Sequence, residues 1–543
     1  MDRFIQLLRS PGAKSEIISA APTQHADSAA VPFPSDETDE TNKANTTVVT
    51  ISVENVVGYT VIPKARLLDR WLDLTVRVSG SEFVFFTIMA GLLAWAFMGI
   101  AFGHSVNWQV IISDVQAILS YIFDSLLMRQ QLNGHENFLL VLAQLKSRSL
   151  SHERMLRTIV TSRNQEQHQQ EIHQVPDQGQ HVPNQGQHVP DQGQPVPDKG
   201  QHVSDQHVPA LDGQLYTDFA TVLPSETWFG RMATYVSHIL GHIVTVTLYW
   251  ICILIWIGFG HYCGWSERWQ LYINSATSAL MVFVFAFLAN IREQHSRYTA
   301  QCLDAIFTVD ATLELKLRVL TRDTVCNESI VIPAPNVNRV QRIINYYADV
   351  VGTLVGVAIL VVVIIAWLAV GPALHFNSNW WLLIGTYAGL VGMNDGFVLR
   401  NIHGEMLRVE NPQFATVREQ GRALLSIIGA DSEVKEEPAA DESISYRLSA
   451  AIGRVCSHEM AVVLGFLVIV GLIVGASAMR WTTTGQLLCN IPPSIIESFF
   501  MVILITGHNM ADQKRRLDLQ NIYLHRLKLM SFVNALDVVQ VKA

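Results

Sequence analysis

Eight apolar runs, each about as long as a bilayer is thick, leave this chain few folds to choose from. They lie at roughly 81–103, 109–128, 242–260, 270–289, 350–370, 381–399, 460–479 and 488–507. A helix rising ~1.5 Å per residue needs about 20 residues to cross ~30 Å of hydrocarbon. One such run could be a buried helix of a soluble domain. Eight of them, several ended by Trp, make a soluble fold a poor explanation. Composition agrees: only 16% of residues are charged, against about 25% in a soluble domain. Residues 1–60 are polar and hold no cleavable signal pattern.

The runs pair into hairpins. Their turns, 103–108, 260–269, 371–380 and 480–487, hold just two basic residues, Arg268 and Arg480, of the 38 in the chain. Basic residues stay cytoplasmic. Both termini and the long loops are therefore expected inside, and the four short turns outside. Trp108, Trp265, Trp269, Trp380, Trp381 and Trp481 gather at the outer edge, where an aromatic belt would anchor the helices.

The hairpins also repeat. From origins at Arg70, Arg231, Arg342 and Arg447, ten residues on stand Gly80, Gly241, Gly352 and Ser457. Thirty-eight residues on stand Trp108, Trp269 and Trp380, with Gly485 in the fourth copy. The expected fold is an all-α integral membrane protein. Its eight transmembrane helices form four tandem helical hairpins, parallel pseudo-repeats accompanied by interfacial and cytosolic helices. The expected layout is a disordered cytosolic N-terminus (1–60), hairpin one (61–160), a cytosolic linker (161–225), hairpin two (226–325), hairpin three (326–429), an acidic linker (430–445), and hairpin four with a C-terminal helix (446–543). Polar helices are expected to follow the spans at 129–160, 290–322, 400–428 and 508–530. The 161–225 linker carries a heptad tandem, VPDQGQH, VPNQGQH, VPDQGQP, VPDKGQH, from Val175 to His202. Such low-complexity sequence has little with which to build a core.

No Walker A motif, GxSxG elbow or HExxH occurs, so neither an ATP-driven pump nor an enzyme is expected. The chemistry must come from polar groups inside the spans. A charge at mid-membrane costs at least ~2.5–3.5 kcal/mol and calls for a partner, a cavity or a function. Hairpin one holds Asp114, Gln116 and Asp124, hairpin three Asp395, and hairpin four Glu497; the second helix of hairpin two has no acid. Asp114 and Asp124, ten residues apart, are ~15 Å apart along a helix, two stops on one path. The competing reading pairs these acids with Arg129 or Arg400. Glu82, His242, His458 and Glu459 stand at the entrances of first helices, as an inner collar or as helix caps. His104, His261 and His375 lie in the outer turns, as metal-capturing groups or as solvated histidines.

Carboxylate, amide and imidazole groups favour divalent metals from magnesium to iron and zinc over Cu(I). No basic ring lines the spans, which argues against an anion pore. The segments Leu68-Asp-Arg-Trp71, Gly80-Ser-Glu82 and Ile112-Ser-Asp-Val-Gln through Phe123-Asp124 to Gln131 resemble the fungal low-affinity iron(II) permease family, most sharply in hairpin one. The resemblance implies a plasma-membrane transporter of ferrous iron, with looser handling of zinc, manganese or copper. It implies the metal as substrate and no permanently bound cofactor. It also matches Asp114, Gln116 and Asp124 to that family's acidic motif. The expected partners are divalent metal ions and the lipid bilayer, not nucleic acid, with a homo-oligomer left open. A cation channel of the same architecture, or a membrane scaffold or receptor, are the alternatives.

The orientation has a direct check. The Asn45 and Asn327 sequons face the cytosol and should stay unglycosylated; a shift in mobility on endoglycosidase treatment would overturn the topology.

Overall fold

The computed structural model describes residues 12, 14–24, 59, 67–173, 220, 222–430 and 444–542. One series of elements occurs four times: a short amphipathic helix, an apolar helix, then a long helix. The short helices are α1 (Leu67–Ser79), α4 (Trp228–Leu240), α7 (Arg339–Val351) and α10 (Ile444–Cys456). The apolar ones are α2 (Glu82–Phe102), α5 (Ile243–Gly260), α8 (Leu354–Val370) and α11 (Glu459–Ala478). The long ones are α3 (Val106–His173), α6 (Glu267–Thr321), α9 (Ser378–Ile427) and α13 (Ile491–Lys542), the last preceded by the short α12 (Thr483–Leu488). Among the described residues seven helices are long and apolar enough to cross a membrane, or eight when α7 and α8, bent by 67° at their junction, count as one span.

The polar helices expected as separate elements are continuations of the spans before them. Hydropathy changes at the membrane boundary, but the backbone ladder needs no change there. At 68 residues, α3 is about 100 Å long. The fold is not wholly helical, either. A two-stranded antiparallel sheet pairs β1 (Ile17–Ser19) with β2 (Ile330–Ile332). So part of 1–60, expected to be disordered, is ordered: the main chain of Ala21 donates to Ser147 Oγ and that of Gln24 to Glu314 Oε1. The 161–225 tract begins inside α3, and its heptads lie outside the described residues. Of 430–445, residues 431–443 also lie outside them, and α10 starts at Ile444.

The long helices form the centre. α3 packs along α6 and α9, and α13 packs along the same two, so the ring runs α3, α6, α13, α9. The most apolar window of each long helix is 67–78% buried, against 0–17% for α2, α5 and α11. Phe83, Phe97 and Ile100 of α2 and Leu254 of α5 point outward, more than half exposed. These apolar helices therefore form the outer layer.

Between each short helix and its apolar helix the ladder breaks, and a carbonyl loses its partner. The next series around the ring supplies the donor. Asn290 Nδ2 of α6 donates to Gly80 O (3.0 Å), and Arg129 Nη1 of α3 to Gly352 O (3.5 Å). Asn401 Nδ2 of α9 donates to Ser457 O (2.8 Å), and Thr506 Oγ1 of α13 to Gly241 O (2.8 Å). These acceptors are the residues ten positions after the four aligned arginines. Glycine is required where the long helix comes closest: a Cβ on Gly80 would stand 2.7 Å from Ala289 O. At the fourth break, where Ser457 brings a side chain, the facing residue is Gly404 instead.

The repeated Trp also acquires a role. Trp95 stacks on Trp108 at 4.4 Å, Trp256 on Trp269 at 3.9 Å and Trp367 on Trp380 at 4.3 Å. In the first and third pairs each indole N–H donates to its partner's carbonyl. Trp108, Trp269 and Trp380 thus clip an apolar helix to its long helix. In the fourth series Cys489 Sγ donates to Leu472 O instead.

Beyond the spans the four long helices continue as a bundle around Leu142, Ile306, Val417 and Leu527. Buried ion pairs lie within it: Arg526 Nε–Asp310 at 2.6 Å, Arg148 Nε–Glu314 at 2.8 Å and Arg318–Glu314 at 2.9 Å. Burial beside these arginines pushes the His152 imidazole down to about 3, despite the opposing pull of Asp310, so it stays neutral.

Two tests follow from the packing. Asn290→Ala leaves the Gly80 carbonyl without its donor and should cost about 1–3 kcal/mol, read as a lower melting temperature of the detergent-solubilised protein. The unfolded chain, with His152 near its ordinary 6.5, binds a proton before the folded chain does. Stability should therefore fall as pH drops from about 6.5 toward 3, and His152→Gln should flatten that slope in denaturant melts.

Candidate metal path

The ring brings together carboxylates that are far apart in sequence. Asp124 on α3, Asp395 on α9 and Glu497 on α13 are at most 1% exposed, and Asp114 is 6% exposed. Both oxygens of Asp124, both of Glu497 and Oδ2 of Asp114 have no hydrogen-bond partner among the described residues. Asp395 accepts one bond, from the Tyr347 hydroxyl at 2.6 Å. Asp124 lies within Coulombic reach of Asp395 and Glu497. Three long helices thus aim charge into one buried region.

The fourth contributes none. At that level α6 offers Phe285, stacked on Phe123 at 6.1 Å. The acid-free second hairpin is thus the apolar side of the site.

Glycine makes room for one of the acids. Gly385, Gly389, Gly392 and Gly396 run along the face of α9 that meets α13. A Cβ on Gly392 would stand 2.5 Å from Glu497 Oε1. The missing side chain lets a long carboxylate lie flat between two helices.

The arginines do not neutralise these acids. Arg129 pairs with Asp73 at 2.6 Å and Asp69 at 3.1 Å, both on α1. Arg400 Nη2 donates to Gly453 O at 2.9 Å. Among the described residues neither forms an ion pair with Asp114, Asp124, Asp395 or Glu497.

Other candidates fare differently. Gln116 is a strut: its Nε2 donates to Ser120 Oγ, and its Oε1 accepts from Ser278 Oγ of α6 at 3.4 Å. The inner collar does not assemble. His242 and His458 are N-caps whose Nδ1 accepts from Val244 N and Met460 N, the task Ser81 and Thr353 perform for the other two apolar helices. Glu82 accepts from Gln294 Nε2 and Glu459 from Asn338 Nδ2. A helix start leaves backbone N–H groups unpaired, and these residues sit where an acceptor is needed. His104, His261 and His375 are exposed in separate outer turns, and the structure does not bring them together. Among the described residues no three His, Cys, Asp or Glu side chains form a ready metal cage.

Sequence reasoning missed a polar layer nearer the Trp-clipped ends of the long helices. Ser113, Asn274 and Gly385 each follow the aligned Trp by five residues. Gly385 leaves space for the Asn490 amide of α13, 2.7 Å from where its Cβ would be, and also faces Ser113. Ser113 Oγ and both side-chain polar atoms of Asn274 and Asn490 are buried without partners among the described residues. The fixed offset from Trp was the available signal. Uncharged residues drew no notice because burying them costs less.

Comparison with known proteins agrees with this chemistry. The family model described as low affinity iron permease matches residues 229–326 and 445–540. A low-affinity iron/zinc ion transport protein, fet4, of Schizosaccharomyces pombe is 34% identical over 98% of this chain and 85% of its own length. The chain belongs to the low-affinity iron permease family. A second member, a low-affinity Fe(2+) transport protein of Saccharomyces cerevisiae, is 31% identical over 98% of both chains. No solved structure matches. The family model falls on the second and fourth series, while the resemblance read from sequence was sharpest in the first. In this permease the two matched series are adjacent in the ring, through α6 and α13.

Proposed function

We propose that this permease carries ferrous iron, and zinc less selectively, into the cell at low affinity. The convergence of buried Asp124, Asp395 and Glu497, the first and last with both oxygens unpaired among the described residues, carries the reading. Carboxylates suit hard and borderline dications, and unpaired anions in a low-dielectric site await a cation. The names of both relatives support iron, and one supports zinc. The cargo enters past the Ser113–Asn274–Asn490 layer and Asp114, then reaches the three central acids. The absence of a closed cage suits a cargo held briefly rather than a resident metal. A dication moving down 100 mV, inside negative, gains about 4.6 kcal/mol, twice the ~2.3 kcal/mol for one charge, so entry needs no ATP.

The same reading takes the four series as duplicated hairpins crossing the plasma membrane eight times, with both termini in the cytosol. Two separate matches of one family model within one chain support the duplication.

Iron-55 uptake in cells lacking other iron uptake tests the site. Asp124→Asn, Asp395→Asn and Glu497→Gln should each cut uptake tenfold or more while the protein still reaches the plasma membrane. Gly392→Val should do the same by displacing Glu497. Uptake like the parent's in all three acid variants would remove these residues from the path.

A further inference from the structure

The path just described needs a way out, and the bundle axis does not offer one. Past the central acids, the four long helices close on an apolar core to which each contributes: Leu142, Ile306, Val417 and Leu527, none above 1% exposed. The charges deeper in the bundle are engaged with one another, as in Arg526–Asp310 and Arg148–Glu314. A dication cannot shed its water and thread such a core.

A cavity of about 280 Å³ opens instead at the side. It lies between α3 and α9, the helices that carry Asp124 and Asp395, and reaches α7. Glu405 and Met406 on its wall follow Asp395 by ten and eleven residues, about 15 Å along α9. Leu132 on the opposite wall follows Asp124 by eight, about 12 Å along α3. The wall also carries His135, Glu136 and Asp349, groups that suit a departing divalent metal.

The N-terminal segment crosses this opening. Lys14, Ser15 and Ile17 form part of the wall. Lys14 Nζ pairs with Asp349 Oδ1 at 2.7 Å. Beyond it, β1 is held on β2, and Ala21 on Ser147. An ammonium thus occupies one of the carboxylates a leaving cation would meet.

We propose that this lateral cavity is the cytosolic exit of the metal path, and that the N-terminal strand with its Lys14–Asp349 pair is the latch that closes it. The proposal rests on the central carboxylates being the path, and its test separates the two.

The full chain in sealed proteoliposomes would carry Met406→Cys or, should that variant fold poorly, Val409→Cys. An impermeant anionic methanethiosulfonate is applied to the cytosolic face while ferrous iron flux is followed. Labelling should cut flux at least fivefold. Arg157→Cys, on the exposed face of α3 deep in the bundle, should label without loss. Lys14→Ala should speed labelling of the cavity cysteine about threefold and raise flux. Labelling that leaves flux intact, or labelling by a membrane-soluble maleimide alone, overturns the exit. An unchanged labelling rate in Lys14→Ala overturns the latch. Flux that survives Asp124→Asn but is still blocked by the cavity label refutes the carboxylate path and keeps the exit.

Discussion

A carbonyl released by a broken helix near a membrane has few places to find a donor, and the arrangement of this protein follows from where it finds one. Four times a short helix stops and an apolar helix begins. Each time the orphaned carbonyl is met from the neighbouring series, by Asn290, Arg129, Asn401 or Thr506. Because every donor comes from a different series than its acceptor, the four bonds close a ring. That ring holds the long helices inside and leaves the apolar helices facing outward. It also sets the close approach of α6 that Gly80 tolerates.

Electrostatics follows from the same geometry. Arg129 is turned toward α1 and Arg400 toward α10, so these two arginines are engaged away from the central acids. Among the described residues, no basic side chain pairs with the acids at the centre. Burial of unpaired carboxylates is unfavourable for stability alone. Intramembrane carboxyls of this kind call for a partner, a cavity or a function. The apolar face of α6 keeps that site one-sided, with charge from three helices and none from the fourth.

Much of this was legible in the sequence, for identifiable reasons. Run length forecast the helices because hydrocarbon thickness sets it. Asp124, Asp395 and Glu497 stood out because a charge in an apolar run is costly wherever it points. The aligned Gly and Trp were visible as fixed offsets, although their tasks, close approach at a break and clipping of two helices, were not. For His242 and His458 the sequence offered both a collar and helix caps, since an imidazole that caps a helix looks the same in sequence as one that binds metal. The continuous 68-residue α3 was hidden because hydropathy records the solvent around a helix and not the continuity of its hydrogen bonds.

By itself the sequence determined which segments are helices, which of them suit a membrane, and which residues carry charge there, since these depend on local composition and spacing. Only the tertiary structure decided the ring order, in which the third series stands between the first and the fourth. The same structure decided that Asp124, Asp395 and Glu497 come within Coulombic reach of one another while Arg129 and Arg400 turn away. Periodicity tells a helix that it has a face to bury; which neighbour receives that face depends on side chains hundreds of residues distant.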